Sequence, residues 1–125
     1  MRPSPTASSR YVKDPLRYVY VFTCKGQGSL GWSSIAPRQS ESSLSNYIVI
    51  QDKTLPNSKT YTGKFNKGDT MVHEMGHYLG LFHTFQGKPN GCAGNGDGVD
   101  DTPAERSPAR SCRYEVNAHY SPSMP

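Results

Sequence analysis

Three of the four histidines in this sequence lie within eleven positions, together with a glutamate, in the segment HEMGHYLGLFH that begins at residue 73. His73 and His77 are four residues apart, so on a helix they stand one turn apart on the same face and can bind one metal ion together. Glu74 projects beside such an ion, where its carboxylate can take a proton from a water molecule. The spacing predicts a metal site with an adjacent general base.

A third metal ligand must come from beyond the helix. Gly80 is expected to end the helix in a left-handed conformation, and the chain that turns there brings His83 back toward the same ion. Three neutral imidazoles leave one position of a tetrahedral Zn²⁺ open, as in catalytic zinc sites. The competing interpretation is three surface histidines that only satisfy local hydrogen bonds. The added glycine and third histidine make a chance match improbable, on the order of 10⁻⁵ at typical residue usage.

Three short segments before this motif carry the patterns of β-strands. Residues 16–23 alternate β-branched and aromatic side chains, residues 29–35 form a shorter run, and residues 47–51 are the most apolar run of the chain. Gly31, inside the second run, favours an edge strand or a bulge. The third run is typical of a buried strand. These elements would position the helix that carries the histidines.

The hydrophobic period becomes that of a helix from Thr70 onward. Asp69 is the expected N-cap. One apolar stripe is expected to be the packing face of the helix, and its residues are Val72, Met75, Leu79 and Phe82. After Phe85 no periodic pattern continues, and the glycine- and proline-rich sequence predicts a long irregular loop.

The extended motif resembles that of the metzincin metallopeptidases, and the match continues in LRYVYVF, SLGWSSIAP, DKTLPNS, HTFQG and GCAGNGDGVDDTPAERSP. Within that clan the sequence is most similar to the pappalysin-like branch, above all to its secreted fungal extracellular metalloproteases. The resemblance implies a partial α+β, zincin-like catalytic domain: a short twisted sheet with an active-site helix, followed by a long irregular loop region. It covers residues 15–112, between a disordered or unrelated start (1–14) and a divergent tail (113–125).

The resemblance also implies function. It implies that the chain is an extracellular zinc metalloendopeptidase that cleaves proteins and peptides. His73, His77 and His83 would be the zinc ligands, and Glu74 would be the catalytic base. The segment SLGWSSIAP resembles a rim strand along which an extended substrate pairs, at Leu30, Gly31 and Trp32. On composition, GNGDGVDDTP is a solvated acidic loop, but relatives bind calcium there. A Ca²⁺ site is therefore considered at the side chains of Asp97 and Thr102, with the Val99 carbonyl as a further ligand.

Two features depart from the family pattern. Metzincins place a methionine-containing turn after the third histidine, and residues 118–121 (AHYS) only faintly resemble one. The first strand and the backing helix of the family should precede Leu16. A chain shortened at both ends is expected from this. The alternative function is a catalytically inactive zinc-binding remnant, or an incomplete gene model of such a protease.

Composition narrows the partners. The net charge is +4, but no dense lysine and arginine cluster with interleaved aromatics occurs, so no nucleic-acid partner is expected. No run approaches 18 apolar residues, which argues against a membrane span, and the start lacks the apolar core of a secretory signal. The three cysteines permit at most one internal disulfide. By the resemblance the partner of Cys92 would lie beyond Cys112, so a Cys92–Cys112 bridge would be a rearrangement.

Overall fold

The computed structural model describes residues 10–26, 28–35, 40–59, 65–86 and 96–108. The chain divides into two compact units, with the boundary after Leu81. The first unit contains a three-stranded sheet and one helix. Its elements are strands β1 (Val21–Cys24), β2 (Gly31–Ser33) and β3 (Ile48–Gln51), a 3₁₀ turn (Asp52–Thr54) and helix α1 (Asp69–Tyr78).

The sheet is mixed, with strand order β1-β3-β2. Strand β3 pairs in parallel with β1, where Val21 lies opposite Ile48, and antiparallel with β2, where Gly31 lies opposite Ile50. All four residues of β3 are buried, which confirms the buried strand predicted from its apolar run. Among the described strands β2 lies at an edge of the sheet, in agreement with its interior glycine.

Side-chain alternation gives the sheet two different faces. On one face Tyr47 makes edge-on or tilted contacts with Phe22 and Trp32, at centroid distances of 5.3 and 5.5 Å. Val12 and Val49 complete this cluster. The other face carries Ile48 and lies under α1, which packs on β2 and β3. Ile48 has no exposed surface, and burial of a side chain of this size contributes about 1.5–3 kcal/mol.

Helix α1 begins one residue earlier than the sequence predicts. Gly68, with φ of 94°, is the N-cap, and Asp69 is the first helical residue. The prediction of Asp69 as N-cap is therefore wrong by one position. The loop enters the helix through a left-handed residue, which glycine adopts without strain. The carboxylate of Asp69 still lies in the first turn, where it interacts favourably with the helix dipole.

The end of the helix is as predicted. Gly80 has φ of 99°; its N–H donates to the His77 carbonyl at 2.9 Å, and the Leu81 N–H donates to the Gly76 carbonyl at 3.0 Å. These two bonds form a Schellman motif, which turns the chain away from the helix axis. The left-handed residue of the turn therefore lies three residues after His77.

The predicted packing stripe of the helix is wrong at two of its four positions. Val72 is 74% exposed and Leu79 is 69% exposed, whereas Glu74 is the buried residue of the helix. The hydrophobic period identifies an apolar face but not what covers it. In the first unit, α1 instead turns the face that carries Glu74 toward the sheet.

The described part of the second unit is irregular, with turns, bends and one isolated bridge residue, Glu105, and without a helix, as the sequence predicts for this loop. Two hydrogen bonds between Thr84 and Glu105 join the two described segments of this unit. The Thr84 carbonyl accepts a hydrogen bond from the Glu105 N–H at 3.0 Å, and the Thr84 hydroxyl donates to the Glu105 carboxylate at 2.6 Å. Within the described ranges of the chain, no helix is long and apolar enough to cross a membrane.

Candidate metal centre

His73 and His77 place two imidazole nitrogens side by side on α1. Their Nε2 atoms are 3.1 Å apart, and the rings meet edge to face with centroids 4.6 Å apart. Two nitrogens that bind one tetrahedral zinc ion at about 2.0–2.1 Å are separated by roughly 3.3 Å. The observed separation is close to that value, so the pair fits a shared metal ion with little movement.

The Schellman turn orients the second of these rings. Nδ1 of His77 lies 2.7 Å from the Leu81 carbonyl oxygen. A carbonyl can only accept, so Nδ1 carries a proton, and in the neutral ring Nε2 then carries the lone pair. This is the tautomer that a metal ligand needs, and the support of a ligand histidine through its other nitrogen is common in metal sites. The turn at Gly80 thus connects helix termination to ligand geometry.

The environment of His73 favours the neutral ring. Partial burial lowers the pKa of His73, and the neighbouring His77 lowers it further by charge repulsion. A neutral imidazole has a free lone pair and is the form that binds a metal.

His83 lies in the second unit, where its ring stacks on Phe85 with centroids 4.5 Å apart and its carbonyl accepts the Gln86 N–H at 2.9 Å. The ligand atoms of His73, His77 and His83 all lie within 4.8 Å of one another. The spacing of the motif predicts this grouping. Three imidazole nitrogens are a donor set suited to zinc, with one coordination position left open.

Glu74 is 6% exposed, between the two helix histidines in sequence and turned toward β2. Burial raises the pKa of its carboxyl, while His77 and the Ser33 hydroxyl oppose the rise. The Ser33 hydroxyl is itself buried and makes no hydrogen bond of standard geometry within the described chain. Sequence reasoning did not identify Ser33; its signal is its position two residues after Gly31, on the same strand face.

The three residues predicted to contact substrate lie at or next to β2. The Leu30 carbonyl accepts the Gln51 N–H at 2.9 Å, and Gly31 and Trp32 pair with β3. The Trp32 side chain packs against the apolar cluster on the sheet face away from the helix. The Leu30 carbonyl is thus already used within the sheet, and only backbone groups of β2 that do not bond to β3 are open at this edge.

The described loop adds no support for calcium. The Asp97 carboxylate accepts the Val99 N–H at 3.0 Å, and the Val99 carbonyl accepts the Thr102 N–H at 3.1 Å, so two of the oxygen-bearing groups take part in hydrogen bonds within the turn. The calcium site stays a prediction. Of the cysteines, Cys24 is a half-buried free thiol. The Cys92–Cys112 pairing lies outside the described residues.

Comparison with solved structures identifies the class of protein that this fold and site define. The chain is similar to mature mirolysin from Tannerella forsythia, a metzincin solved in complex with a cleaved peptide, with a TM-score of 0.62 and 27% identity over 72% of this chain and 33% of that one. The α+β, zincin-like fold predicted from the sequence is thereby confirmed. The sequence profile of peptidase family M43, described as pregnancy-associated plasma protein-A, matches residues 6–119. The chain belongs to this family, and its resemblance to the pappalysin-like metzincins is confirmed.

Fungal extracellular metalloproteases are among the relatives. The protein from Colletotrichum graminicola is 42% identical over 73 residues, which are 58% of this chain and 24% of the relative. The protein from Pyricularia oryzae is 59% identical over 64 residues, or 51% of this chain and 21% of the relative. The matched part of the chain thus spans a quarter or less of the length of these relatives.

Proposed function

We propose that this protein is a zinc-dependent metalloendopeptidase that hydrolyses peptide bonds of proteins, with Glu74 as the general base. The observation that carries the proposal is the grouping of the His73, His77 and His83 ligand atoms within 4.8 Å. The buried Glu74 lies on the helix that carries the first two of these histidines. Membership of a metallopeptidase family supports it. The extracellular names of the fungal relatives support secretion.

The three histidines would hold zinc, which when bound supplies Lewis-acid activation of water and of the scissile carbonyl. His77 is oriented for this by the Leu81 carbonyl at 2.7 Å. The Glu74 carboxylate takes a proton from the attacking water and returns it to the leaving amine. Its burial against β2 holds the carboxylate in one place, so that the proton transfer needs little rearrangement.

The substrate would bind as an extended strand along β2. An edge strand offers unpaired backbone N–H and C=O groups to a peptide, which is a general mode of peptide recognition. In the proposed arrangement the substrate chain lies along Leu30, Gly31 and Trp32 and pairs with those backbone groups that do not already bond to β3, as the Leu30 carbonyl does. The mirolysin structure, which contains a cleaved peptide, supports a peptide substrate class for this fold.

Zinc-dependent cleavage of an unstructured protein tests the proposal. The 125-residue chain is dialysed against a chelator, reloaded with one equivalent of Zn²⁺ and incubated with casein. Cleavage that appears with zinc and disappears with chelator is expected. Stoichiometric zinc without cleavage would instead favour the alternative of a zinc-binding protein that has lost catalysis. Absence of zinc binding would contradict both.

A further inference from the structure

Strand β2 and helix α1 come close together at Gly31. A Cβ atom built on Gly31 would lie 2.6 Å from Glu74 Cγ, 2.8 Å from Glu74 Oε1 and 2.9 Å from Thr70 Cγ2. Carbon atoms that are not bonded to each other normally stay about 3.5–4.0 Å apart. No side chain at position 31 is therefore compatible with the present position of the Glu74 carboxylate.

Space, and not backbone conformation, requires this glycine. The described glycines with positive φ are Gly28, Gly68, Gly80, Gly96 and Gly98, and Gly31 is not among them. Gly31 instead pairs with Ile50 in the regular ladder between β2 and β3. An alanine can adopt this strand conformation, so the only obstacle to it is the helix side chains above the strand.

Those side chains and the strand together form a seat for the carboxylate. Thr70 and Glu74 are one helical turn apart on the face of α1 that meets β2. Gly31 and Ser33 are two residues apart and share one face of the strand. The missing side chain of Gly31 leaves the room that the Glu74 side chain occupies. The Ser33 side chain is also buried on this face of the strand.

We propose that Gly31 is a positioning residue for catalysis: its lack of a side chain fixes where the Glu74 carboxylate stands beside the metal site. The inference rests on the proposed function, because it assigns Gly31 a part in placing the general base. A methyl group at position 31 displaces the Glu74 side chain, which is easier to move than the paired strand or the helix backbone. A displacement of about 1 Å of a reacting group is enough to cost about 10²-fold in rate.

The kinetic test compares Gly31→Ala with Gly26→Ala. The control adds the same methyl group where its nearest neighbours, in Gln51 and Cys24, are 3.5 and 3.6 Å away. For casein-derived peptide cleavage, Gly31→Ala is expected to lower kcat about 10²-fold while KM and Zn²⁺ affinity stay within about twofold of the parent. Gly26→Ala should resemble the parent. A raised KM with unchanged kcat, or a loss of zinc affinity of similar size to the loss of rate, would overturn the proposal.

A second test needs neither zinc nor activity, so it separates failure of this inference from failure of the proposed function. The melting temperature of the metal-free chain is measured for Gly31→Ala in the parent and in a Glu74→Ala background, where the clashing Cγ and Oε1 atoms are absent. A fall of several degrees in the parent and of less than half that size in the Glu74→Ala background is expected. Folding of Gly31→Ala only in the Glu74→Ala background would support the proposal equally. Equal falls in both backgrounds, no fall in either, or failure to fold in both would overturn it.

Discussion

Strand β3 and helix α1 are packed against each other, yet they are built differently. All four residues of β3 are buried, and three of them are aliphatic. Helix α1 has ten residues, and the one that is buried is Glu74, while its Val72 is 74% exposed. The strand supplies apolar contacts on both faces of the sheet. The helix instead turns the side that carries Thr70 and Glu74 toward β2.

The difference shows how a small domain divides stability from chemistry. Apolar burial contributes free energy in proportion to the area removed from water, and among the described residues three of the five buried hydrophobic side chains lie on β3. A buried carboxylate without a full set of hydrogen bonds is unfavourable by itself. Its presence on α1 is explained if the site needs a carboxylate at this place. Substitutions in the two elements should therefore affect different measurements.

The largest effect is expected from His77→Ala. His77 contributes one of two Nε2 atoms that are 3.1 Å apart, and removal of its ring leaves the remaining ligands on separate elements. Zinc affinity should fall by more than about 10²-fold, beyond the loss typical of residues that only support a ligand. Zinc-dependent cleavage should fall to background. Zinc content after dialysis measures this, and an unchanged stoichiometry and affinity would contradict the assignment of His77 as a ligand.

Glu74→Gln should separate chemistry from metal binding. The amide preserves the shape of the side chain but cannot accept the proton, so kcat is expected to fall by about 10²–10⁴-fold while zinc remains bound. Since burial disfavours the charged carboxylate, the substitution should not lower the melting temperature of the metal-free chain. Loss of zinc from this variant would show that Glu74 is a ligand, and parent-like activity would remove it from the mechanism.

The structural features that can be predicted from the sequence are those determined by residues close to one another in the chain. The apolar run of β3 predicts its burial, and Gly80 predicts the end of the helix because only a residue without Cβ adopts φ of 99° freely. The four-residue spacing of His73 and His77 predicts their shared face. Each of these features depends on a few neighbouring residues, so no knowledge of the tertiary structure is required.

The features that were missed depend on contacts between distant segments. Gly31 and Glu74 are far apart in sequence, and nothing in either segment states that the strand and the helix approach until a Cβ would lie 2.6 Å from Cγ. The apolar stripe was misassigned for the same reason: periodicity shows which side chains share a face, but the packing partner decides which face is buried. The sequence predicts Asp69 as the N-cap, but in the structure Gly68 is the N-cap, in a left-handed conformation, and Asp69 is the first residue of the helix.

Val49→Ala tests the strand side of the comparison. Val49 is 6% exposed and belongs to the cluster with Val12 and Tyr47. Loss of two methyl groups removes about 1.6 kcal/mol of transfer free energy, and the cavity left behind adds to it, so the free energy of unfolding should fall by about 2 kcal/mol or more. Urea denaturation of the metal-free chain measures this. A change below about 0.5 kcal/mol would show that the cluster is not the stabilising core.

Val72→Ala is the matched substitution on the helix, and its expected effect is the smallest. The same two methyl groups are removed, but from a side chain that is 74% exposed, so little apolar surface returns to water and no cavity forms. Alanine also has the higher helix propensity, by up to roughly 0.7 kcal/mol, because valine loses side-chain freedom against the preceding turn. The free energy of unfolding should therefore change by no more than about 0.5 kcal/mol, and in the stabilising direction. Urea denaturation beside Val49→Ala provides the comparison under identical conditions. A loss of more than about 1 kcal/mol in Val72→Ala would mean that this face of the helix is covered, and the contrast between the two elements would then fail.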